Sequence, residues 1–174
     1  MIPNLYQKSD VEKLYTPRRE FIDAGRANQT KLYASEDKRT VALLIVDGQW
    51  DFVSPKGGLP VPGAVGDMQR LIEFIYKNLE DITSISASMD AHLPYHIFSA
   101  GWWVDKNGNH PGDYTPITYE DIRKGNWKPI IDPLWSTEYV KKLGLQAKKP
   151  LMIWPPHCLQ GTPGQSLVPA LAEA

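Results

Sequence analysis

The sequence predicts an α/β protein built on a parallel sheet, from three observations. Residues 41–46 form an unbroken apolar run with three β-branched members and stop at Asp47, which is typical of a strand buried on both faces. Residues 64–79 carry apolar side chains at spacings of three and four, which is typical of one helical face. Residues 82–89 form a second strand that ends at Asp90. A strand, a helix and a strand of these lengths predict a right-handed βαβ unit.

The residues before the first strand, 1–40, are polar and mixed. Ser9 and Glu12 have the spacing of a capping box, which predicts a short helix that Pro17 ends. We expect residues 1–40 to form an N-terminal arm that packs either on the following domain or on a neighbouring molecule. Residues 41–174 are predicted to form the domain itself.

Within this domain, residues 93–148 form a long, loop-rich insertion. Residues 118–121 read Thr-Tyr-Glu-Asp, a capping box that opens a short helix ending at Gly125. Ser136 is the predicted N-cap of a second short helix. A connection of this length inside a compact domain usually has a function, often as a lid or a subunit contact.

Composition and charge exclude several classes of protein. A chain of 174 residues with net charge −1 and no basic stripe fits one domain, and predicts neither nucleic acid nor a membrane surface as partner. The N-terminus lacks the pattern of a secretion signal, and the longest apolar run is too short to span a bilayer. The single cysteine, Cys158, cannot form an internal disulfide, so we expect a reducing, cytoplasmic location.

Three of the four histidines lie where predicted strands end. Asp90 and His92 follow the second strand, and residues two apart in an extended segment point the same way. His157 follows the third predicted strand, residues 150–154, and His96 lies beyond a proline turn. Neighbouring strand ends of a parallel sheet are adjacent, so these side chains are predicted to share one divalent ion. Two imidazoles and a carboxylate leave coordination positions open, as in catalytic sites, whereas the alternative is a set of hydrogen-bonded structural histidines.

Other polar and aromatic residues near these strand ends allow two interpretations each. Asp47 is placed as a general base, or as a loop carboxylate that caps nearby amides. Phe52 and Trp154 adjoin the proposed site and could wall an aromatic pocket or belong to the core. Cys158 adjoins a candidate ligand and no motif activates it, so a small, partly buried thiol is favoured over a nucleophile. His110 lies in a turn and is not expected to be a ligand.

Three motifs of the chain keep the order and spacing found in one known family. They are Asp47-x-Gln49-x-Asp51-Phe52, Asp90-x-His92-x-Pro94-x-His96-Ile97-x-Ser99 and Trp154-Pro155-Pro156-His157-Cys158-x-x-Gly161-Thr162-x-Gly164. Together they resemble the nicotinamidase branch of the isochorismatase-like cysteine hydrolases, over residues 41–174. The resemblance implies a three-layer α/β sandwich whose parallel sheet has the order 3-2-1-4-5-6, of which this chain supplies strands 1–3.

The resemblance also implies a metal-assisted site for a small amide. Zinc is the expected ion, with iron, manganese and magnesium as alternatives. In nicotinamidases the ion binds a pyridine nitrogen, and two aromatic residues sandwich the ring. The positions that match ligands are Asp90, His92 and His157, His96 matches a histidine lining the metal site, and Phe52 and Trp154 match the aromatic residues.

The family hydrolyses a carboxamide through a thioester, with an aspartate, a lysine and a cysteine as its triad. Asp47 matches the aspartate, whereas Cys158 matches a cysteine that is not the nucleophile. The family's lysine and nucleophilic cysteine come after the last matched motif. We therefore expect this chain to be inactive alone, and a complementing C-terminal polypeptide or continuation to supply both residues in an oligomer. The alternatives are a non-catalytic metal- or ligand-binding subunit and a structural fragment.

Overall fold

The computed structural model describes residues 2–27 and 34–174. The chain divides into two compact units, of which unit 1 comprises Met1–Ala91 and Gly161–Ala174, and unit 2 comprises His92–Gln160. The division into an arm, residues 1–40, and a domain, residues 41–174, stays a prediction. Among the described residues, every helix is too short or too polar to cross a bilayer.

Apart from one helix of 14 residues, the helices and strands are short. The helices are α1 (Arg19–Ala27), α2 (Trp50–Val53), α3 (Ala64–Lys77), α4 (Tyr119–Arg123), α5 (Pro133–Lys142) and α6 (Pro169–Glu173). The strands are β1 (Ala42–Val46), β2 (Ser84–Ser88), β3 (Trp103–Val104), β4 (Pro116–Ile117), β5 (Lys128–Pro129) and β6 (Leu151–Met152). Single turns of 3₁₀ helix occupy Lys8–Glu12, Ala34–Glu36, Ala100–Trp102 and Pro163–Gln165, and a π turn occupies Leu143–Ala147.

Unit 1 contains the predicted strand, helix and strand. β1 and β2 pair in parallel, and α3 begins at Ala64, as predicted. Ile45 on the inner face of β1 belongs to one buried core with Met68, Ile72 and Ile75 of α3. Those three residues recur at spacings of four and three, which is why the helix presents them to the sheet on one face. A mixed α/β fold with a parallel strand pair is therefore confirmed.

The outer face of β1 is open to solvent. Leu44 is 65% exposed and Val46 is 68% exposed, and their register partners are the exposed Ser86 and Ser88 of β2. Within the described part of the chain, β1 pairs with β2 alone. The prediction that residues 41–46 are buried on both faces is therefore wrong for this chain, because no described element covers that face.

The start of the arm differs from the prediction. The first 3₁₀ turn, Lys8–Glu12, begins before Ser9, and Gln7 precedes it without a side-chain cap. The predicted capping box is therefore wrong. The chain passes Pro17 and forms α1, a helix that the sequence analysis did not predict, and α1 buries Phe21 in the core of unit 1.

An ion pair ties the arm to the last helix of unit 1. Arg18 donates from Nε and from a terminal nitrogen to the two carboxylate oxygens of Glu173, at 2.9 and 2.7 Å, and Tyr15 donates to the same group at 2.8 Å. Burial alone would raise the pKa of Glu173, but these hydrogen bonds outweigh it and hold the pKa below its ordinary value. These bonds join Tyr15 and Arg18 of the arm to Glu173 of α6.

Unit 2 has an antiparallel arrangement. β3 pairs with β5, and β4 pairs with β6, both antiparallel. The third predicted strand, residues 150–154, is thus shortened to Leu151–Met152, and its ladder partner is Pro116–Ile117 rather than a strand of a parallel sheet. That part of the prediction is wrong, and the order 3-2-1-4-5-6 stays a prediction. The buried core of the unit consists of Ile97, Trp103, Ile117, Val140, Leu151 and Ile153.

Of the two N-terminal caps predicted in unit 2, one is confirmed and one is wrong. The capping box at Thr118 is confirmed, with Asp121 as its second member. Ser136 is not an N-cap, because α5 begins at Pro133 with Asp132 as its cap, the favourable arrangement for a proline in a first turn. Ser136 is instead buried inside the helix, where its hydroxyl accepts a hydrogen bond from Trp102 Nε1 at 2.9 Å.

Candidate metal centre

Three histidine rings of unit 2 form a cluster with His92 in the middle. The ring centroid of His92 lies 4.7 Å from that of His96, with nearly parallel planes, and 4.8 Å from that of His157, with steeply inclined planes. His157 is buried, whereas His92 and His96 are half-buried. The structure thus brings together three side chains that are up to 65 positions apart in the sequence, from His92 to His157.

Backbone hydrogen bonds fix this arrangement. The amide of His92 donates to the carbonyl of Cys158 at 3.0 Å, and the amide of Gln160 donates to the carbonyl of His92 at 2.9 Å. These bonds make a parallel bridge between His92 and Leu159. Cys158 turns the chain with a left-handed φ of 46°, and its thiol is fully buried, whereas the sequence predicted partial burial. His157 is therefore held beside His92 by the main chain itself.

His157 has the tautomer that a metal ligand needs. Its Nδ1 lies 2.7 Å from the carbonyl oxygen of Pro155. Because a carbonyl only accepts hydrogen bonds, Nδ1 carries a proton, and in the neutral ring the lone pair is on Nε2. A backbone carbonyl on the distal nitrogen is the usual way in which proteins orient a metal-binding imidazole.

His96 has the opposite tautomer. The backbone amide of Phe98 donates to His96 Nδ1 at 3.3 Å. Because an amide N–H only donates, Nδ1 must hold the lone pair, and Nε2 of the neutral ring carries the proton. The arrangement suits His96 as a hydrogen-bond donor beside the cluster better than as a ligand.

Asp90 belongs to unit 1 and stands two positions before His92 in the sequence. His92 and His157 offer ligand atoms within 4.8 Å of each other. Two imidazoles and a carboxylate are donors that zinc and other first-row divalent ions accept. His92 and His157 are therefore possible ligands of one metal ion within unit 2, and Asp90 stays a predicted third ligand.

Gln49 is a functional candidate to which the sequence assigned no role beyond its place in the first motif. Its side chain is fully buried. Its amide oxygen accepts from the backbone amide of Asp90 at 2.6 Å, and its amide nitrogen donates to the Asp90 and Gln165 carbonyls, each at 2.7 Å. The side chain thus pairs with Asp90 as a peptide group of a neighbouring strand would. A polar residue three positions after the end of a predicted strand was the available signal.

Asp47 lies at the carboxyl end of β1, as predicted. Its φ of 52° turns the chain out of the strand, and the hydroxyl of Ser88 donates to its carboxylate at 2.9 Å. The amide of Asp47 also donates to the Ser88 carbonyl at 3.2 Å. The carboxylate is therefore held at the end of β2 while it remains half-buried.

The aromatic candidates occupy different settings. In unit 1, Phe52 belongs to α2 and is half-buried. In unit 2, Trp154 is 37% exposed and lies perpendicular to Tyr114, with ring centroids 5.9 Å apart. Trp103 is fully buried in the core of its unit, and the ring of His110 is hydrogen-bonded to the Trp103 carbonyl at 2.7 Å, outside the histidine cluster.

Comparison with known proteins gives a match over most of the chain. Over 131 residues, or 75% of the chain, it is 26% identical to the nicotinamidase of Saccharomyces cerevisiae. The chain is a relative of yeast nicotinamidase. The predicted resemblance to the nicotinamidase branch is therefore confirmed. No protein-family model matches the chain.

Solved structures give the same result. The structure of the yeast nicotinamidase Pnc1p, and that of the same enzyme bound to the inhibitor nicotinaldehyde, each match with a TM-score of 0.50 and 26% identity. Each match covers 76% of this chain and 50% of the nicotinamidase chain. The chain thus spans about half the length of the nicotinamidase that it matches.

Proposed function

We propose that this chain carries the metal-binding and acidic part of a cysteine hydrolase that acts on a small carboxamide such as nicotinamide. The observation that carries the proposal is the histidine cluster at His92, which lies in a chain 26% identical to a nicotinamidase.

The proposed ligands are Asp90, His92 and His157, and the proposed ion is zinc, with iron, manganese or magnesium as alternatives. A divalent ion bound there would act as a Lewis acid and would orient a substrate that carries a ring nitrogen or a carbonyl. His96 would donate from Nε2 to a water or a substrate atom beside the ligands. Gln49 would hold the Asp90 segment in place.

Asp47 is the proposed acid-base residue. Its carboxylate would accept the proton of the attacking thiol, and the Ser88 hydroxyl keeps it oriented at the end of β1. Phe52 and Trp154 are the proposed walls for a planar substrate ring.

The lysine and the nucleophilic cysteine are proposed to come from polypeptide outside this chain, as a continuation or a partner. Two observations support this. The chain spans about half of the nicotinamidase that it matches, and among the described residues β1 pairs with β2 alone, so its other edge has no strand partner. A further strand along β1 would cover a sheet edge that otherwise invites aggregation. We also propose that the assembled protein is an oligomer in the cytoplasm, where a lone buried thiol such as Cys158 stays reduced.

Ammonia release from nicotinamide tests the proposal, in a protein that contains this chain together with the complementing segment. We expect hydrolysis that a chelator abolishes and that zinc restores. Asp47→Asn should lower kcat by more than a hundredfold at unchanged metal content. Metal binding without hydrolysis of nicotinamide or other small amides would contradict the enzyme proposal and favour a non-catalytic binding subunit.

A further inference from the structure

Tyr114 has an unusual backbone conformation for its residue type. Its φ is 63°, in the left-handed region that a bulky side chain rarely adopts. Residues held in this way persist where surrounding structure imposes the conformation, and they are concentrated at functional sites.

The edge of the β4–β6 pair imposes this backbone conformation on Tyr114. The amide of Tyr114 donates to the Ile153 carbonyl at 2.6 Å, and the amide of Ile153 donates to the Thr115 carbonyl at 3.0 Å. Ile153 is fully buried, so both bonds are anchored in the core of unit 2. Because Trp154 follows Ile153 directly, the same bonds place Tyr114 beside Trp154.

The rings of Tyr114 and Trp154 are perpendicular to each other, and both are exposed. Their planes meet at 87°, with centroids 5.9 Å apart. Tyr114 is 54% exposed and Trp154 is 37% exposed, so the pair contributes little to the core. Among the described residues, the phenol hydroxyl of Tyr114 has no hydrogen-bond partner. The backbone therefore holds an exposed aromatic ring in an unfavourable conformation without a gain in packing.

We propose that Tyr114 is a specificity-determining residue that selects aromatic amides over aliphatic ones. The inference rests on the proposed function, in which Trp154 stacks on the substrate ring. A planar ring stacked on Trp154 would stand perpendicular to Tyr114, and the edge-to-face arrangement is one that aromatic pairs prefer. An aliphatic amide has no ring quadrupole and gains nothing from this second contact.

Dissociation constants for nicotinamide and butyramide, measured by ligand-observed NMR on the zinc-loaded chain without the proposed complementing segment, so that neither amide is turned over, test this inference. Tyr114→Asn removes the ring and keeps a residue that tolerates left-handed φ. We expect it to weaken nicotinamide binding about three- to tenfold and butyramide binding less than twofold. Tyr114→Phe keeps the ring, so both constants should stay within about twofold. Tyr119→Ala, which removes another exposed tyrosine of unit 2, should leave both constants unchanged.

Equal weakening of both amides by Tyr114→Asn, an unchanged constant for nicotinamide, or a wild type without preference for the aromatic amide would each overturn the inference. Thermal unfolding of Tyr114→Asn at or above the wild-type midpoint would exclude a folding defect. If the aromatic preference is lost in Tyr114→Asn while no variant releases ammonia, the inference stands and the proposed function fails. If wild type and Tyr114→Asn hydrolyse nicotinamide with equal KM, the function stands and the inference fails.

Discussion

Replacing Gln49 by leucine tests whether one buried amide holds the segment that follows β2. Leucine has a similar size, so the change removes hydrogen-bonding atoms with little change in packing volume. Three hydrogen bonds are lost, two to Asp90 and one to Gln165. The backbone groups at the other ends of these bonds would then remain without their partner in a part-buried place.

The expected loss of stability is about 3 kcal/mol. Leaving a buried polar group without a partner costs about 1–3 kcal/mol each, and burying a leucine side chain offsets about 2 kcal/mol of the total. Gln69→Leu is the matched control, because its amide makes one exposed hydrogen bond, to the Lys8 carbonyl at 3.1 Å. We expect that control to lose less than about 0.5 kcal/mol.

Urea unfolding gives the free energy of unfolding for both variants, and titration with zinc gives their metal affinity. The Gln49 variant should also bind zinc about tenfold more weakly, the loss typical of a disturbed outer-shell partner. Similar free energies of unfolding for Gln49→Leu and Gln69→Leu would refute the view that this amide acts as a strand partner for Asp90.

Three further predictions use other parts of the molecule. His157→Ala should lose bound zinc and His110→Ala should keep it, as measured by metal analysis after dialysis, and equal metal content would remove the proposed site. Glu173 has a lowered pKa, so its contribution to stability is complete above pH 4.5, the ordinary value for this group, and is lost as the pH falls. Glu173→Gln should therefore destabilise the protein by about 3 kcal/mol at pH 7 and flatten its acid denaturation curve, and parallel curves would contradict this. Gly164→Ala should destabilise by about 2 kcal/mol or more in thermal unfolding, because its methyl group would overlap the Asp51 carboxylate, whereas Gly112→Ala meets open space and should be neutral.

Long periodic segments were predictable because their pattern is local. The pattern of residues 64–79 alone predicts α3. The patterns of residues 41–46 and 82–89 likewise predict the two parallel strands without information from other parts of the chain. The short elements of unit 2 follow tertiary contacts instead. Leu151–Met152 has the composition of a buried parallel strand, yet its ladder is made with Pro116–Ile117. An apolar run of that length does not specify its partner.

The sequence predicted which histidines belong to the candidate site, but not their hydrogen bonds and tautomers. Histidines after predicted strands were a sufficient signal for His92 and His157. The opposite tautomers of His96 and His157 depend on single backbone atoms, the Phe98 amide and the Pro155 carbonyl. No residue type in the sequence specifies such contacts. Helix α1 was missed because Phe21 is its single buried residue, and one buried position makes no periodic pattern.

The bond between Arg18 and Glu173 joins positions 155 residues apart. Unit 1 is discontinuous in the chain, whereas unit 2 is one uninterrupted stretch, His92–Gln160. During synthesis on the ribosome, the second unit can therefore complete its core before the first one does. The core of the first unit includes Val168 and Leu171, so it can be completed only after residues 161–174 have left the exit tunnel.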